Sequence, residues 1–103
     1  MVKHIVMWKL KEEAEGASRL ENLRMMKQML ESLKDRIPFL RSIEVGINLN
    51  SDPGAYDIVL ATEFNDRRDL EAYQNHPDHK RVADFIGKVR EHRAVVDYEI
   101  RFQ

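Results

Sequence analysis

The sequence predicts an α+β fold in which a four-stranded antiparallel sheet carries its helices on one face. Two kinds of hydrophobic spacing, and the order in which they occur, predict it. Four stretches change character every second residue, the period of a strand. The segments between them bring apolar residues back every three or four positions, the stripe of a packed helix. The order is strand, helix, strand, strand, helix pair, strand, the split βαβ arrangement of a ferredoxin-like fold.

Lys3 to Lys9 is the first strand, with His4, Val6 and Trp8 on one face and Ile5 and Met7 on the other. Both faces are largely apolar, which implies cover on two sides. After the polar stretch Lys11 to Ala17, Leu20, Leu23, Met26, Leu30, Leu33 and Ile37 form one helical stripe, with Ser18 as N-cap and Pro38 as terminator. Arg41 to Leu49 alternates again through Ile43, Val45, Ile47 and Leu49, and Gly46 marks a bulge or a close backbone approach. Asn50-Ser51-Asp52-Pro53-Gly54 is a turn, and Tyr56 to Phe64 is the third strand. Asp66 caps a short helix carrying Leu70 and Tyr73, with Asp69 as the acidic partner of a capping-box-like arrangement. Pro77 suits the first turn of the next helix, capped by Asn75 or His76 and running to about Glu91, with Val82, Phe85, Ile86 and Val89 inward. Arg93 to Phe102 closes the chain as the fourth strand, Val96, Tyr98, Ile100 and Phe102 on one face and Val95, Asp97, Glu99 and Arg101 on the other.

Residues 1–103 fit one domain, which buries roughly two thirds of its unfolded surface and leaves no room for a second core. The 17 basic and 18 acidic residues nearly cancel, so no field draws the chain to nucleic acid or to an anionic membrane. With no cysteine there is no disulfide, no thiolate nucleophile and no zinc-ribbon spacing. The apolar opening is too short for a signal sequence and is broken by Lys9, which points to a cytoplasmic protein. Helices on one side of the sheet leave the other side bare and apolar, so a symmetric homodimer through the open sheet face is expected.

Chemistry concentrates in Tyr73-Gln74-Asn75-His76-Pro77-Asp78-His79, which sets a phenol and two of the four imidazoles at a helix junction. Imidazole titrates near neutrality and phenol donates without ionising, the pairing a small protein needs to move protons on an organic substrate. His79 falls within the first turn of its helix and can point back toward the sheet, as base to Tyr73 as oxyanion donor. The plainer alternative is that Tyr73 caps the core while His76 and His79 secure the helix turn. His4 shares a strand face with Val6 and Trp8 and needs a partner, which Tyr73, His79 or Asp97 can supply. Asp97 is either an orienting carboxylate or a solvated strand residue, since alternation does not say which face is inward. A metal drawn from His76, Asp78, His79 and His4 has Pro77 between two ligands and no fourth ligand nearby, so no metal or other cofactor is expected. Met25, Met26 and Met29 with Trp8 suit a pocket for haem or another flat ring, although the same spacing reads more often as core filler.

Four segments together resemble the stress-responsive A/B barrel (Dabb) family of the dimeric α+β barrel superfamily. They are Lys3 to Lys9, Tyr56 to Leu60 with Glu63-Phe64, Leu70 through Tyr73 to His79, and Val95-Val96-Asp97-Tyr98. The resemblance implies a dimeric α+β barrel with a pocket between sheet and helices. Plant polyketide cyclases of this family use a Tyr and a His as an acid–base pair, which falls on Tyr73 and His79, with His4 and Asp97 matching further pocket groups. A third-strand histidine of those cyclases is Ile58 here. A pocket so placed is expected to be lined by Val6, Trp8, Ile58 and Leu60 and to take a small hydrophobic or aromatic ligand. Three functions stay open: ligand binding without turnover, cofactor-independent cyclase or isomerase chemistry, and the monooxygenase-like activity of sister families.

Overall fold

A computed structural model describes residues 1–101. Strand β1 is Val2–Leu10; a short hairpin of β2, Glu13–Ala14, and β3, Ala17–Ser18, leads into helix α1, Arg19–Ser32. Then come β4, Ser42–Ile47, β5, Ile58–Phe64, α2, Arg67–Asn75, α3, Pro77–Val89, and β6, Arg90–Glu99. The four long strands form one antiparallel sheet in the order β4-β5-β1-β6, the ferredoxin-like architecture expected. The domain measures 42 × 29 × 17 Å, and its thin axis is one sheet layer and one helix layer deep.

The caps act as the residue types predict. Ser18 Oγ accepts from the Glu21 N–H at 3.2 Å while Glu21 returns the bond to the Ser18 N–H at 3.1 Å, a complete capping box. Asp66 accepts from the Asp69 N–H at 2.9 Å, so this cap makes one half of the box. Of the two candidate caps of α3, His76 takes the position, its Nδ1 accepting from the Asp78 N–H at 3.1 Å with Pro77 in the first turn. Asp78 also pairs with Arg81 at 2.6 Å, so the carboxylate is committed to the helix start.

Several boundaries differ from the sequence reading. The stretch Lys11 to Ala17 holds the β2–β3 hairpin, turned by Glu15 and Gly16 with φ of 52° and 74°. That left-handed pair is the geometry tight hairpins require, and one glycine among charged residues is a faint signal for it. Helix α1 stops at Ser32 and tightens into a 3₁₀ turn over Leu33–Asp35, and Pro38 keeps helical backbone from resuming at Ile37. Leu20 is half exposed, outside the stripe that buries Leu23, Met26 and Leu30. β4 ends at Ile47 and Leu49 is 99% exposed, so alternation carried on past the last strand pair. Gly46 pairs with Val59 in unbroken register and is not a bulge; the irregularity lies at Lys9/Leu10. Beside it the Leu10 N–H finds the Asp57 carboxylate at 2.8 Å. β6 starts directly at Arg90, and Phe102, assigned to the last strand, lies outside the described residues.

Register sorts the two faces of the sheet. His4 stands opposite Thr62 and Asp97, and Val6 opposite Leu60 and Val95, all on the face toward the helices. The other face carries Ile5, Met7, Val59, Val96 and Tyr98, of which Val96 is 60% exposed. The core is between sheet and helices, where Phe64, Tyr73, Met26 and Ile37 are fully buried.

Candidate functional site

Between β1 and α3 lies a cavity of about 190 Å³. Alternation along β1 points His4, Val6 and Trp8 into it from below, and Leu60 of β5 joins them. From above, the helical spacing of α3 brings His79, Val82, Ala83, Ile86 and Gly87 down one side. The walls are therefore apolar, and the polar groups converge from His4, His79, Arg90 and Arg93.

His4 is 2% exposed, and its Nδ1 meets the carboxylate of Asp97 across the β1–β6 pair. Donation of the Nδ1 proton to Asp97 fixes the tautomer, leaving the Nε2 lone pair available. The Thr62 hydroxyl donates to the His4 carbonyl at 3.2 Å from the other side. Asp97 thus stands on the helix face of the sheet, yet its side chain is 42% exposed because the helices do not reach over the β6 edge.

His79 sits in the first turn of α3 and touches Tyr73 edge to face, ring centroids 4.5 Å apart. Tyr73 in turn packs on Phe64 at 5.0 Å and approaches His4 at 6.4 Å. Tyr73 is fully buried and stands behind His79, off the cavity wall. Its hydroxyl and the Nδ1 of His79 are both buried without a hydrogen-bond partner among the described residues. Such orphans cost about 1–3 kcal/mol each and mark places where folding has not been the only demand. Burial pushes the Tyr73 phenol up, so it stays a neutral donor.

Of the expected ligand contacts, Val6, Trp8 and Leu60 line the cavity, whereas Ile58 is buried beyond it, opposite Trp8 in the sheet. His76 is taken up as the α3 cap. Among the described residues no group of three or more His, Asp or Glu side chains is placed to hold a metal ion.

Residues 2–100 match the model of the stress responsive A/B barrel domain. The chain belongs to that family. Among solved structures it is similar to a dimeric protein of unknown function and ferredoxin-like fold from Bacteroides fragilis, at 37% identity over 96% of this chain and 95% of that one, with a TM-score of 0.84. The fold is shared with a hydroxynitrile lyase from Passiflora edulis, 18% identical over 99% and 94% of the two chains, TM-score 0.81. It is shared too with a putative antibiotic biosynthesis monooxygenase from Nitrosomonas europaea, 19% identical over 99% and 100%, TM-score 0.76. No protein of curated function matches the chain. No helix is long and apolar enough to cross a membrane among the described residues.

In this A/B barrel domain, the sequence reading missed Arg93, Arg90, Ala83 and Gly87 as cavity residues. A signal existed for Arg93, which keeps the phase of Val95 and Asp97 along β6. Arg90 had none, because the bulge at Lys9/Leu10 shifts the register there.

Burial, then the charge of His4, pushes the His79 imidazole below its ordinary value of about 6.5; Arg93 and His76 add to this, and the Gln74 backbone opposes it. A depressed folded value means that the unfolded chain takes up this proton first as the pH falls. The His79 contribution to stability is therefore fully present above about pH 6.5 and is lost as pH falls through the lower folded value. Thermal midpoints followed from pH 7.5 to 5 should drop more steeply for the native chain than for His79→Gln. Parallel curves would show that His79 is not what the acid limb reports.

Proposed function

We propose that this A/B barrel domain binds a small organic ligand in the cavity between β1 and α3. The observation that carries the reading is the cavity itself, apolar along Val6, Trp8 and Leu60 and polar where His4 and His79 meet it. An apolar cavity of about 150 Å³ can hold benzene, so about 190 Å³ suits a single ring with a small substituent. Phenol and benzyl alcohol at millimolar concentration are the probes. At least one should raise the thermal midpoint, since a ligand that binds only the folded state stabilises it by mass action. Ala83→Leu, which places a branched side chain into the space, should abolish the shift. Absence of any shift, or an undiminished shift in Ala83→Leu, would count against the cavity as the site.

A second reading, acid–base catalysis of the cyclase or isomerase kind, is favoured by the His4–Asp97 pairing and by the two orphaned polar atoms behind it. His79, held neutral by burial, is available to accept a proton. Asp97 would hold His4 in its Nδ1–H tautomer, as in a base-and-orienter pair. The Tyr73 hydroxyl, in ring contact with His79, supplies a donor one layer back. If an acidic carbon substrate is found, His79→Ala and Tyr73→Phe should lower its turnover without unfolding the protein. Unchanged turnover would assign both residues to structure.

The domain is also proposed to work as a homodimer through the open sheet face. Similar proteins from Bacteroides fragilis, Thermobifida fusca and Jannaschia are described as dimeric, and Met7, Val59, Val96 and Tyr98 form an exposed apolar patch. A charge in the middle of that patch would be buried unpaired in the dimer. Val96→Glu is expected to convert the dimer to monomer in sedimentation velocity; a native chain that sediments as a monomer would remove this part of the proposal.

A further inference from the structure

We infer that the cavity ligand is an organic carboxylate, with its apolar body between β1 and α3 and its acid group on the guanidinium of Arg93, seconded by Arg90. The inference rests on the cavity being a binding site and names what it binds. Four observations carry it. Both arginines come from β6 and line the cavity together with its apolar walls. Arg93 stands directly across the sheet from Trp8, on the cavity face, so its charge rises beside the indole that forms the floor. Neither guanidinium makes an ion pair or a side-chain hydrogen bond among the described residues. No acidic side chain lines the cavity among the described residues, and the acids of β6 that share its sheet face, Asp97 and Glu99, are engaged by His4 and Arg67.

A small apolar enclosure rimmed by two cations without counter-charges presents an unbalanced positive potential to any entering molecule. A planar carboxylate matches the planar fork of arginine in two parallel hydrogen bonds, which a point charge does not offer. The apolar walls supply affinity by removing hydrocarbon from water, while the arginines select the charge and fix which end leads. The carboxylate end would then lie toward β6, with the body of the ligand passing His4 and His79. Gly87 contributes an open rim on α3: a Cβ added there meets nothing within 4 Å among the described residues.

The test uses benzoate and benzyl alcohol, which share a ring and differ in charge, titrated into the full chain and followed by amide NMR. Benzoate should bind about tenfold more tightly than the alcohol at low salt, the factor expected for one charge-assisted contact. Arg93→Gln should remove most of that advantage and leave the affinity for benzyl alcohol within about twofold; if Arg90 compensates, the double variant Arg90→Gln/Arg93→Gln should remove it. Raising the ionic strength should weaken benzoate alone. Both side chains are exposed, and a thermal melt of each variant confirms folding. Benzyl alcohol binding as well as benzoate, or benzoate binding unchanged in the double variant, would overturn the carboxylate assignment and leave the cavity as a site for neutral rings. If neither probe binds, the cavity reading itself fails and takes this inference with it.

Discussion

Tyr73→Ala should cost about 3–5 kcal/mol in urea denaturation, whereas Tyr73→Phe should be at least as stable as the native chain. The ring is completely buried against Phe64 and His79, so truncation to alanine removes a large apolar contact and leaves a cavity where two elements meet the sheet. For a domain whose total stability is of the order of 5–15 kcal/mol, that is a large fraction. The hydroxyl is a separate matter. It is buried and has no hydrogen-bond partner among the described residues, so its removal relieves a desolvation penalty of about 1–3 kcal/mol rather than breaking a bond. A phenylalanine variant that is more stable but less active would show a residue retained for chemistry at the expense of folding. A loss above about 1 kcal/mol in Tyr73→Phe would instead mean that the hydroxyl is bonded in solution.

The second large effect is expected at Asp97. His4 is almost fully buried, and Asp97 is the only side-chain partner of its Nδ1 among the described residues. Because the carboxylate is 42% exposed, solvent screens most of its Coulombic attraction, and the pair should not be credited as a buried salt bridge. What matters is the donor left behind: Asp97→Ala strands a buried N–H and should cost about 1–3 kcal/mol, while Asp97→Asn keeps an oxygen acceptor and should cost less. His4→Leu/Asp97→Ala removes both partners and should recover part of the loss, so that the double-mutant cycle reports the coupling. Nitrogen shifts of the imidazole provide an independent check. They should report a fixed Nδ1–H tautomer in the native chain and a mixture in Asp97→Ala. If the tautomer is mixed in the native chain, the orienting role falls.

Much of the fold was legible in the residues because local rules and global packing agree there. The caps Ser18 and Asp66, Pro77 in the first turn of α3, the alternation of β1, and the stripe of α1 from Leu23 to Leu30 each report a signal that only one element satisfies. Misreadings came where a period outlasted its element. Leu49 continues the alternation of β4 but has no strand opposite it, and Leu20 continues the stripe of α1 into its exposed first turn. Of the two alternatives glycine left open at Gly46, a bulge or a close backbone approach, the bulge is excluded by its normal pairing with Val59. The Glu15-Gly16 turn leaves little trace in the residues because one of its two left-handed positions is a glutamate, which seldom takes that conformation.

The chemistry divides along the same line. Sequence by itself determined that His4 shares a face with Val6 and Trp8, that His79 falls in the first turn of a helix begun by Pro77, and that Asp97 shares a face with Val95, because periodicity fixes which side chains are neighbours within one element. Only the tertiary structure decided which of those faces meet. β6 is an edge strand exposed along nearly its whole length, so hydropathy carries no mark of its inner face; the hydrogen-bond register with β1 sets Asp97 against His4 and Arg93 against Trp8. The placement of Tyr73 behind His79 was likewise a decision of packing, since its hydroxyl is oriented by the fit of the ring against Phe64 and not by the spacing of the run that contains it.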